Sequence, residues 1–224
     1  SRWLRDLCVS QDVNDLMASI YQTEISPHTM PVHLGHLNYQ PSKLEEAVDK
    51  WHHDTIPLDY VMMVSDPATL SGGGFEYFLG TKMEVEELSK QGRTPPRDRV
   101  KAPKFPGPGY AVALHGNMVV HRGAPLTKPG ERITMVNAYV SMDCLVDDQS
   151  RSRDLIGIDD PAALYAEWAK HASWRTQNRL QQIIDSMAFD QEPDQVLDQL
   201  EFAANDLLKT CLLYTSDAAD ECHS

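Results

Sequence analysis

Short apolar runs, each bounded by glycine, proline or asparagine, dominate the middle of the chain. Runs of this kind that are rich in β-branched and aromatic residues are typical of β-strands. They predict strands or extended segments at Pro31–Tyr39, Tyr60–Val64, Phe75–Leu79, Tyr110–Leu114, Met118–Val120 and Ile133–Val140. Glycine- and proline-rich stretches between the runs predict turns and loops. The pattern therefore favours a core that is mainly β.

The apolar positions change to helical spacing towards both ends of the chain. In Ser10–Ile20 they recur three and four residues apart, and Ser10 is placed as an N-cap. The pair Asp160-Pro161 has the cap-then-proline order that begins many helices. Further helices are predicted at Ser42–Lys50, at Met83–Gln91, over residues 161–187 and at Pro193–Leu208. These helices are expected to flank the strands, and the C-terminal part is expected to be helical from about residue 160.

A long loop is predicted at Gly92–Pro108, which is rich in proline, glycine and basic residues. Long loops in compact domains are often lids or binding loops. The positive charge suits an acidic substrate, although a solvent-exposed surface loop has the same composition. We expect substrate contacts in this loop and in a segment that precedes the present N-terminus.

The overall charge argues against two classes of partner. The chain has a formal net charge of −13 and no basic stripe, which disfavours nucleic-acid binding. It has no long apolar run, which disfavours a membrane protein. Before residue 211 there are two isolated cysteines, Cys8 and Cys144, and this fits a reducing cytoplasm.

The C-terminal residues do not fit the rest of the chain. The stretch CLLYTSDAADE, which begins at Cys211, is similar to the translation of a transposon-based sequencing adapter. We therefore expect residues 211–224 to be a non-native tail, as a cloning scar would be. Residues 1–210 are expected to form a single domain that is a fragment at both ends.

Two stretches carry residues with the chemistry of a metal site and a carboxylate site. His52 and Asp54 share one face if their segment is extended, because residues two apart on a strand point the same way. With the distal His121 they would make the two-histidine, one-carboxylate facial triad of non-haem iron sites. Arg132 and Thr134 also share a face, and a guanidinium beside a hydroxyl is a good carboxylate site.

Other histidines compete for the same role. His115 lies beside the Gly116-Asn117 turn and is an alternative to His121 as the distal ligand. His53 is an alternative in the first stretch, but it lacks the two-residue spacing to Asp54. His33 and His36 are interpreted as structural or solvent-facing, since their spacing of three is wrong for one strand face.

The ordered set His52-His53-Asp54, Gly72–Phe78 (GGGFEYF), His121-Arg122-Gly123 and Arg132-Ile133-Thr134 resembles the Fe(II)/2-oxoglutarate-dependent dioxygenase superfamily. The resemblance covers roughly residues 31–143. It implies a double-stranded β-helix, or jelly roll, with C-terminal helices. It also implies that His52, Asp54 and His121 hold Fe(II), and that Arg132 and Thr134 hold the far carboxylate of 2-oxoglutarate. Asn38, on the preceding extended segment, is given a further contact with 2-oxoglutarate.

The function implied by the resemblance is hydroxylation of a small molecule with O2, releasing succinate and CO2. Related halogenases lack the carboxylate ligand, so Asp54 favours a hydroxylase. Two other functions stay open: a cupin-like metalloenzyme that does not use 2-oxoglutarate, and a non-catalytic binding protein on the same scaffold. The aliphatic stripe of the C-terminal helices is typical of a core or of a homodimer face.

Overall fold

The structure is a computed structural model that describes residues 1–39, 44, 50–151 and 160–220, with side chains described up to residue 211. It is mixed α+β, with antiparallel sheets and C-terminal helices. The chain divides into two compact units. The first comprises Ser1–His28 with Val32–Val140, and the second comprises Thr29–Pro31 with Ser141–Ser224. That residues 1–210 form a single domain stays a prediction.

The first unit contains three helices and the strands of two sheets. The helices are α1 (Arg2–Cys8), α2 (Gln11–Tyr21) and α3 (Lys82–Lys90). The strands are β1 (Ile25–Pro27), β2 (His36–Tyr39), β3 (Leu58–Met63), β4 (Phe75–Phe78), β5 (Val100–Lys101), β6 (Ala111–Leu114), β7 (His121–Gly123) and β8 (Ile133–Ser141). The five-stranded sheet has the order β1-β8-β3-β6, with β2 also paired to β8, and the three-stranded sheet has the order β5-β4-β7.

The alternation of side chains along the strands gives the larger sheet two buried faces. Met135 and Tyr139 of β8 pack in one cluster with Cys8 and Met17 of the N-terminal helices. On each strand, the residues next to these point to the opposite face of the sheet. There Val61 of β3 and Leu114 of β6 meet Phe75 of the smaller sheet in a second cluster. Buried side chains of the two sheets therefore meet on the face opposite the helices.

Where the structure describes it, the second unit contains two long helices, preceded by irregular chain over residues 142–151. Its helices are α4 (Pro161–Ser186) and α5 (Pro193–Asp220), and short 3-10 turns elsewhere in the chain lie at Pro31–His33, Pro67–Thr69 and Arg97–Arg99. Asp160 caps α4 by accepting the Ala162 N–H, and Pro161 follows at the first helical position. Arg179 of α4 is buried, donates to Asp206 of α5 at 2.5 Å and lies over the Phe202 ring.

Most predicted elements are present, and the differences have local causes. The predicted strand at Met118–Val120 is wrong, because the N–H groups of Met118 and Val119 both bond to the His115 carbonyl and close a turn. The strand begins at His121, directly after the predicted run. The predicted loop at 92–108 contains β5, which pairs with β4. Pro31–Tyr39 begins as a 3-10 turn, and the predicted helix at Ser42–Lys50 lies outside the described residues.

A helix that spans a bilayer needs about 20 mostly apolar residues. None of the described helices is both long enough and apolar enough to cross a membrane.

Candidate metal centre

The structure brings His52, Asp54 and His121 together in the first unit. One ligand atom from each residue lies within 4.8 Å of the other two. Nε2 of His52 is 3.4 Å from Oδ1 of Asp54, and Nε2 of His121 is 3.5 Å from Oδ2. The two histidines thus approach the same carboxylate, each at a different oxygen.

Backbone hydrogen bonds hold the three residues in place. His52 and His121 form an isolated antiparallel bridge, with N–H to carbonyl distances of 3.0 and 2.8 Å in the two directions. The N–H of Asp54 donates to the Gly116 carbonyl at 2.8 Å. The segment that carries His52 and Asp54 therefore lies alongside the start of β7 and the preceding turn.

Both imidazole rings are oriented by main-chain carbonyls. Nδ1 of His52 lies 2.7 Å from the Lys50 carbonyl, and Nδ1 of His121 lies 2.9 Å from the Val119 carbonyl. A carbonyl oxygen can only accept, so each Nδ1 carries the proton of the hydrogen bond. In the neutral ring this leaves the Nε2 lone pair to bind a metal, which is the arrangement usual for histidine ligands.

The electrostatics favour an ionised carboxylate at Asp54. Burial by itself raises the pKa of Asp54, but its polar contact with His52 and its electrostatic interaction with His121 outweigh burial and bring the pKa below its usual value. His121 is 5% exposed, whereas His52 and Asp54 are half-buried. The cluster is therefore closed on the His121 side and accessible from the other.

The donor set and its spacing fit a first-row transition metal. Nitrogen and oxygen ligands bind such ions at about 2.0–2.2 Å, so two ligands at a right angle lie about 3 Å apart. The observed separations of 3.4 and 3.5 Å need only a small contraction to reach this value. Two imidazoles and one carboxylate on one side of an ion form the facial triad of non-haem Fe(II) sites.

The competing histidines lie outside this cluster. His53 is exposed, and its Nδ1 is 3.2 Å from the Asp54 carbonyl. His115 packs edge-on against the Tyr21 ring, with the centroids 5.4 Å apart. Neither belongs to the group of potential ligands found among the described residues.

Arg132 and Thr134, the predicted carboxylate site, are buried together. Arg132 is 2% exposed, and its Nε donates to the Gly73 carbonyl at 2.6 Å. One terminal nitrogen donates to Oγ1 of Thr134 at 3.3 Å. Gly73 has φ +71°, and a Cβ there would lie 3.0 Å from Arg132 Cδ, so a larger residue would disturb the guanidinium. Asn38 pairs with Thr134 across β2 and β8, so their side chains share a face.

Trp51 lies on the opposite side of β7 from the cluster. Arg122 points away from His121, its neighbour on the strand. It bonds Glu76 at 2.7 Å and lies 4.7 Å from the centre of the Trp51 ring. Trp51 is thus part of a packed cation–π and salt-bridge group and not a wall of the metal cluster.

Two residues beside the cluster were missed from the sequence. Asp59 of β3 is fully buried next to Asp54, and this burial, together with the negative charge of Asp54, raises the pKa of Asp59 well above its usual value. Gly116 lies so close to both carboxyl groups that they occupy the space a Cβ on this residue would need. The available signal was that Asp59 is the one charged residue in the apolar run Leu58–Met63.

Comparisons with known proteins give partial likenesses. No protein-family model and no curated protein matches the chain. The nickel complex of the non-haem monooxygenase ThoJ aligns with 63% of this chain and 54% of its own, at 14% identity and a TM-score of 0.46. The alignment with SnoN, the non-haem α-ketoglutarate-dependent epimerase of nogalamycin biosynthesis, covers 63% of this chain and 57% of the SnoN chain. Its sequence identity is 12% and its TM-score is 0.43.

A third solved structure is less similar. A bsmA homologue from Methylobium petroleophilum PM1 aligns with 58% of this chain and 48% of its own, at 17% identity and a TM-score of 0.32. The chain spans about half the length of these three proteins. At identities and TM-scores this low, the likenesses establish neither a fold nor an activity for this chain.

Proposed function

We propose that this chain belongs to an Fe(II)- and 2-oxoglutarate-dependent oxygenase that hydroxylates a small molecule, on a double-stranded β-helix. The observation that carries the proposal is the convergence of His52, Asp54 and His121 on a space of metal-site dimensions. A small-molecule substrate, a cytoplasmic location and a homodimer through the C-terminal helices stay predictions.

In this proposal each ligand residue has a distinct task. His52 and His121 would bind Fe(II) through Nε2, with their rings held by the Lys50 and Val119 carbonyls. Asp54 would supply the negative charge and occupy the third position, where a halogenase would hold a halide. Fe(II) and 2-oxoglutarate, when bound, supply the activation of O2 that inserts oxygen into the substrate and releases succinate and CO2.

The carboxylate site would lie at Arg132. Its guanidinium keeps its charge at any physiological pH and matches a carboxylate in two-point geometry. Thr134 and Asn38 would add polar contacts on the same face. Phe75, whose ring lies 5.3 Å from that of His121, would limit the access of water to the buried histidine.

One observation favours a second candidate, a metalloenzyme that does not use 2-oxoglutarate. Arg132 already bonds the Gly73 carbonyl and Thr134, as a purely structural arginine would. In that case Arg132 supports the loop that enters β4, and the metal centre acts without this cosubstrate.

Succinate release separates the two candidates. The full chain is incubated with Fe(II), ascorbate and 2-oxoglutarate, beside His121→Ala and Arg132→Ala. We expect succinate from the wild type and none from His121→Ala. Arg132→Ala should need roughly 30-fold more 2-oxoglutarate, equivalent to about 2 kcal/mol for a buried charged contact. A wild type that binds metal but releases no succinate would favour the second candidate, and a wild type that binds no divalent metal would exclude both. Succinate release with an unchanged 2-oxoglutarate requirement in Arg132→Ala would remove Arg132 from the carboxylate site.

A further inference from the structure

The turn from His115 to Val119 contacts two of the three proposed ligands. The Gly116 carbonyl accepts the Asp54 N–H at 2.8 Å, and the Val119 carbonyl faces Nδ1 of His121 at 2.9 Å. The same turn is fixed to the chain before β3 by a bond from the Gly116 N–H to the Pro57 carbonyl at 3.1 Å. A change in this turn would therefore reach the metal centre directly.

Gly116 leaves no space for a side chain. A Cβ on this residue would lie 2.0 Å from Oδ2 of Asp59, and 2.8 and 3.0 Å from Oδ2 and Cβ of Asp54. Contacts this short do not occur between real Cβ atoms and their neighbours, so one carboxyl group would have to move. Gly116 is not among the glycines with positive φ. The requirement for glycine here comes from close approach and not from backbone conformation.

Asp59 packs against both Gly116 and Asp54. It is fully buried, and in the β3–β6 register it lies opposite Leu114, two residues before Gly116. No described residue donates a hydrogen bond to either of its oxygens, and its Oδ2 lies beside the same space at Gly116 as the Asp54 carboxylate. A buried carboxyl group costs free energy, so its placement beside a proposed ligand calls for a reason.

We propose that Gly116 and Asp59 are a positioning pair for Asp54. The Asp59 carboxyl group supports the Asp54 carboxylate from behind, and Gly116 leaves the space that both groups share. In this arrangement Oδ1 and Oδ2 of Asp54 are turned towards His52 and His121, respectively. Neither member of the pair binds metal or substrate. This inference rests on the metal centre of the proposed function.

Metal affinity tests the pair without any substrate or cosubstrate. The full chain is titrated with Co(II) alone, and its visible absorption reports both affinity and ligand geometry. Changes to residues behind metal ligands typically weaken binding 10–100-fold, and we expect Gly116→Ala to fall in this range. Gly107→Ala is the matched control, because a Cβ there would have Tyr110 Cε2 as its nearest neighbour, at 4.0 Å. It should bind Co(II) as the wild type does.

Two variants of Asp59 keep the test decisive if Gly116→Ala does not fold. Asp59→Asn retains the shape of the side chain and should bind Co(II) with near wild-type affinity, whereas Asp59→Ala should bind about tenfold more weakly. Gly116→Ala combined with Asp59→Ala should lose less affinity than the sum of the two single losses, because the 2.0 Å contact with Asp59 is gone while the 2.8 Å contact with Asp54 remains.

The failure of this inference and the failure of the proposed function have different signatures. Wild-type affinity and spectrum in Gly116→Ala, or in Asp59→Ala, would overturn the positioning pair and leave the metal centre intact. A wild-type chain that binds no Co(II) would overturn the metal centre and the pair with it.

Discussion

The two compact units each contain a buried histidine paired with an aspartate, and the two groups differ in what surrounds the imidazole. In the second unit, His171 is bonded at both nitrogens at 2.7 Å, by Thr29 at Nδ1 and by Asp148 at Nε2. In the first unit, His52 and His121 each use Nδ1 on a main-chain carbonyl. Their Nε2 atoms face one carboxylate at 3.4 and 3.5 Å.

The histidine–aspartate distances in the two units differ by 0.7–0.8 Å, which is the difference between a direct hydrogen bond and a separation that an ion could fill. At 2.7 Å a proton joins the two groups directly, and there is no room for an ion. Separations of 3.4 and 3.5 Å, shared by two histidines, leave room for an ion with bonds of about 2 Å. The number of histidines and aspartates in a stretch does not make this distinction, but the convergence of two Nε2 atoms on one carboxylate does.

The largest expected effect is on metal affinity, when one histidine of each group is replaced by alanine. His121→Ala should weaken Co(II) binding by more than the roughly 10–100-fold typical of residues behind the ligands, because it removes one of three donors. His171→Ala, the matched change in the second unit, should leave Co(II) affinity unchanged. Calorimetric titration of both variants tests the comparison, and equal losses in the two would contradict it.

The second expected effect is a loss of unfolding free energy, and here His171→Ala is the variant that should change. His171→Ala removes a buried partner of both Thr29 and Asp148 and leaves Oδ2 of Asp148 without its hydrogen-bond partner. Breaking such a buried pair typically costs about 3 kcal/mol of unfolding free energy. Urea unfolding of the metal-free chain should show this loss, and a change below about 0.5 kcal/mol would indicate that the pair is not structural.

The smallest effect is a pH dependence of stability in the second unit. Burial raises the pKa of Asp148, but the hydrogen bond and charge of His171 and the Ser150 N–H lower it further, to a value below that of an unfolded aspartate. The stabilisation is therefore present above about pH 4 and is lost as the pH falls towards the folded-state pKa.

Unfolding at pH 5 and pH 3 measures this contribution. The wild type should lose about 1 kcal/mol more between these pH values than Asp148→Asn, which has no carboxyl group to protonate. Asp147→Asn is the control, since Asp147 is an exposed neighbour paired with Arg151. Identical pH slopes in the wild type and Asp148→Asn would contradict the assignment.

The three residues of the candidate metal cluster could be brought together from the sequence because they stand in an ordered pattern. Period-two spacing correctly placed Arg132 beside Thr134, which the structure joins by a hydrogen bond. The apolar runs likewise located β3, β4, β6 and β8. These features depend on neighbours two residues apart, which a sequence shows directly.

Other features depend on contacts between distant residues, and the sequence did not show them. The strand β7 is three residues long, and the apolar run before it is closed into a turn by its own N–H groups. The two-residue strand β5 exists through its pairing with β4. Asp59 and Gly116 meet only because β3 and β6 are neighbours in the sheet.

The bridge between His52 and His121 has a consequence for the folding of the first unit. It joins two segments that are separated along the chain by strands β3 to β6. An ion bound there would act as a cross-link that closes this long loop, and its binding energy would become folding energy for every element inside. The same ion would then govern both the chemistry of the chain and how long the chain survives proteolysis.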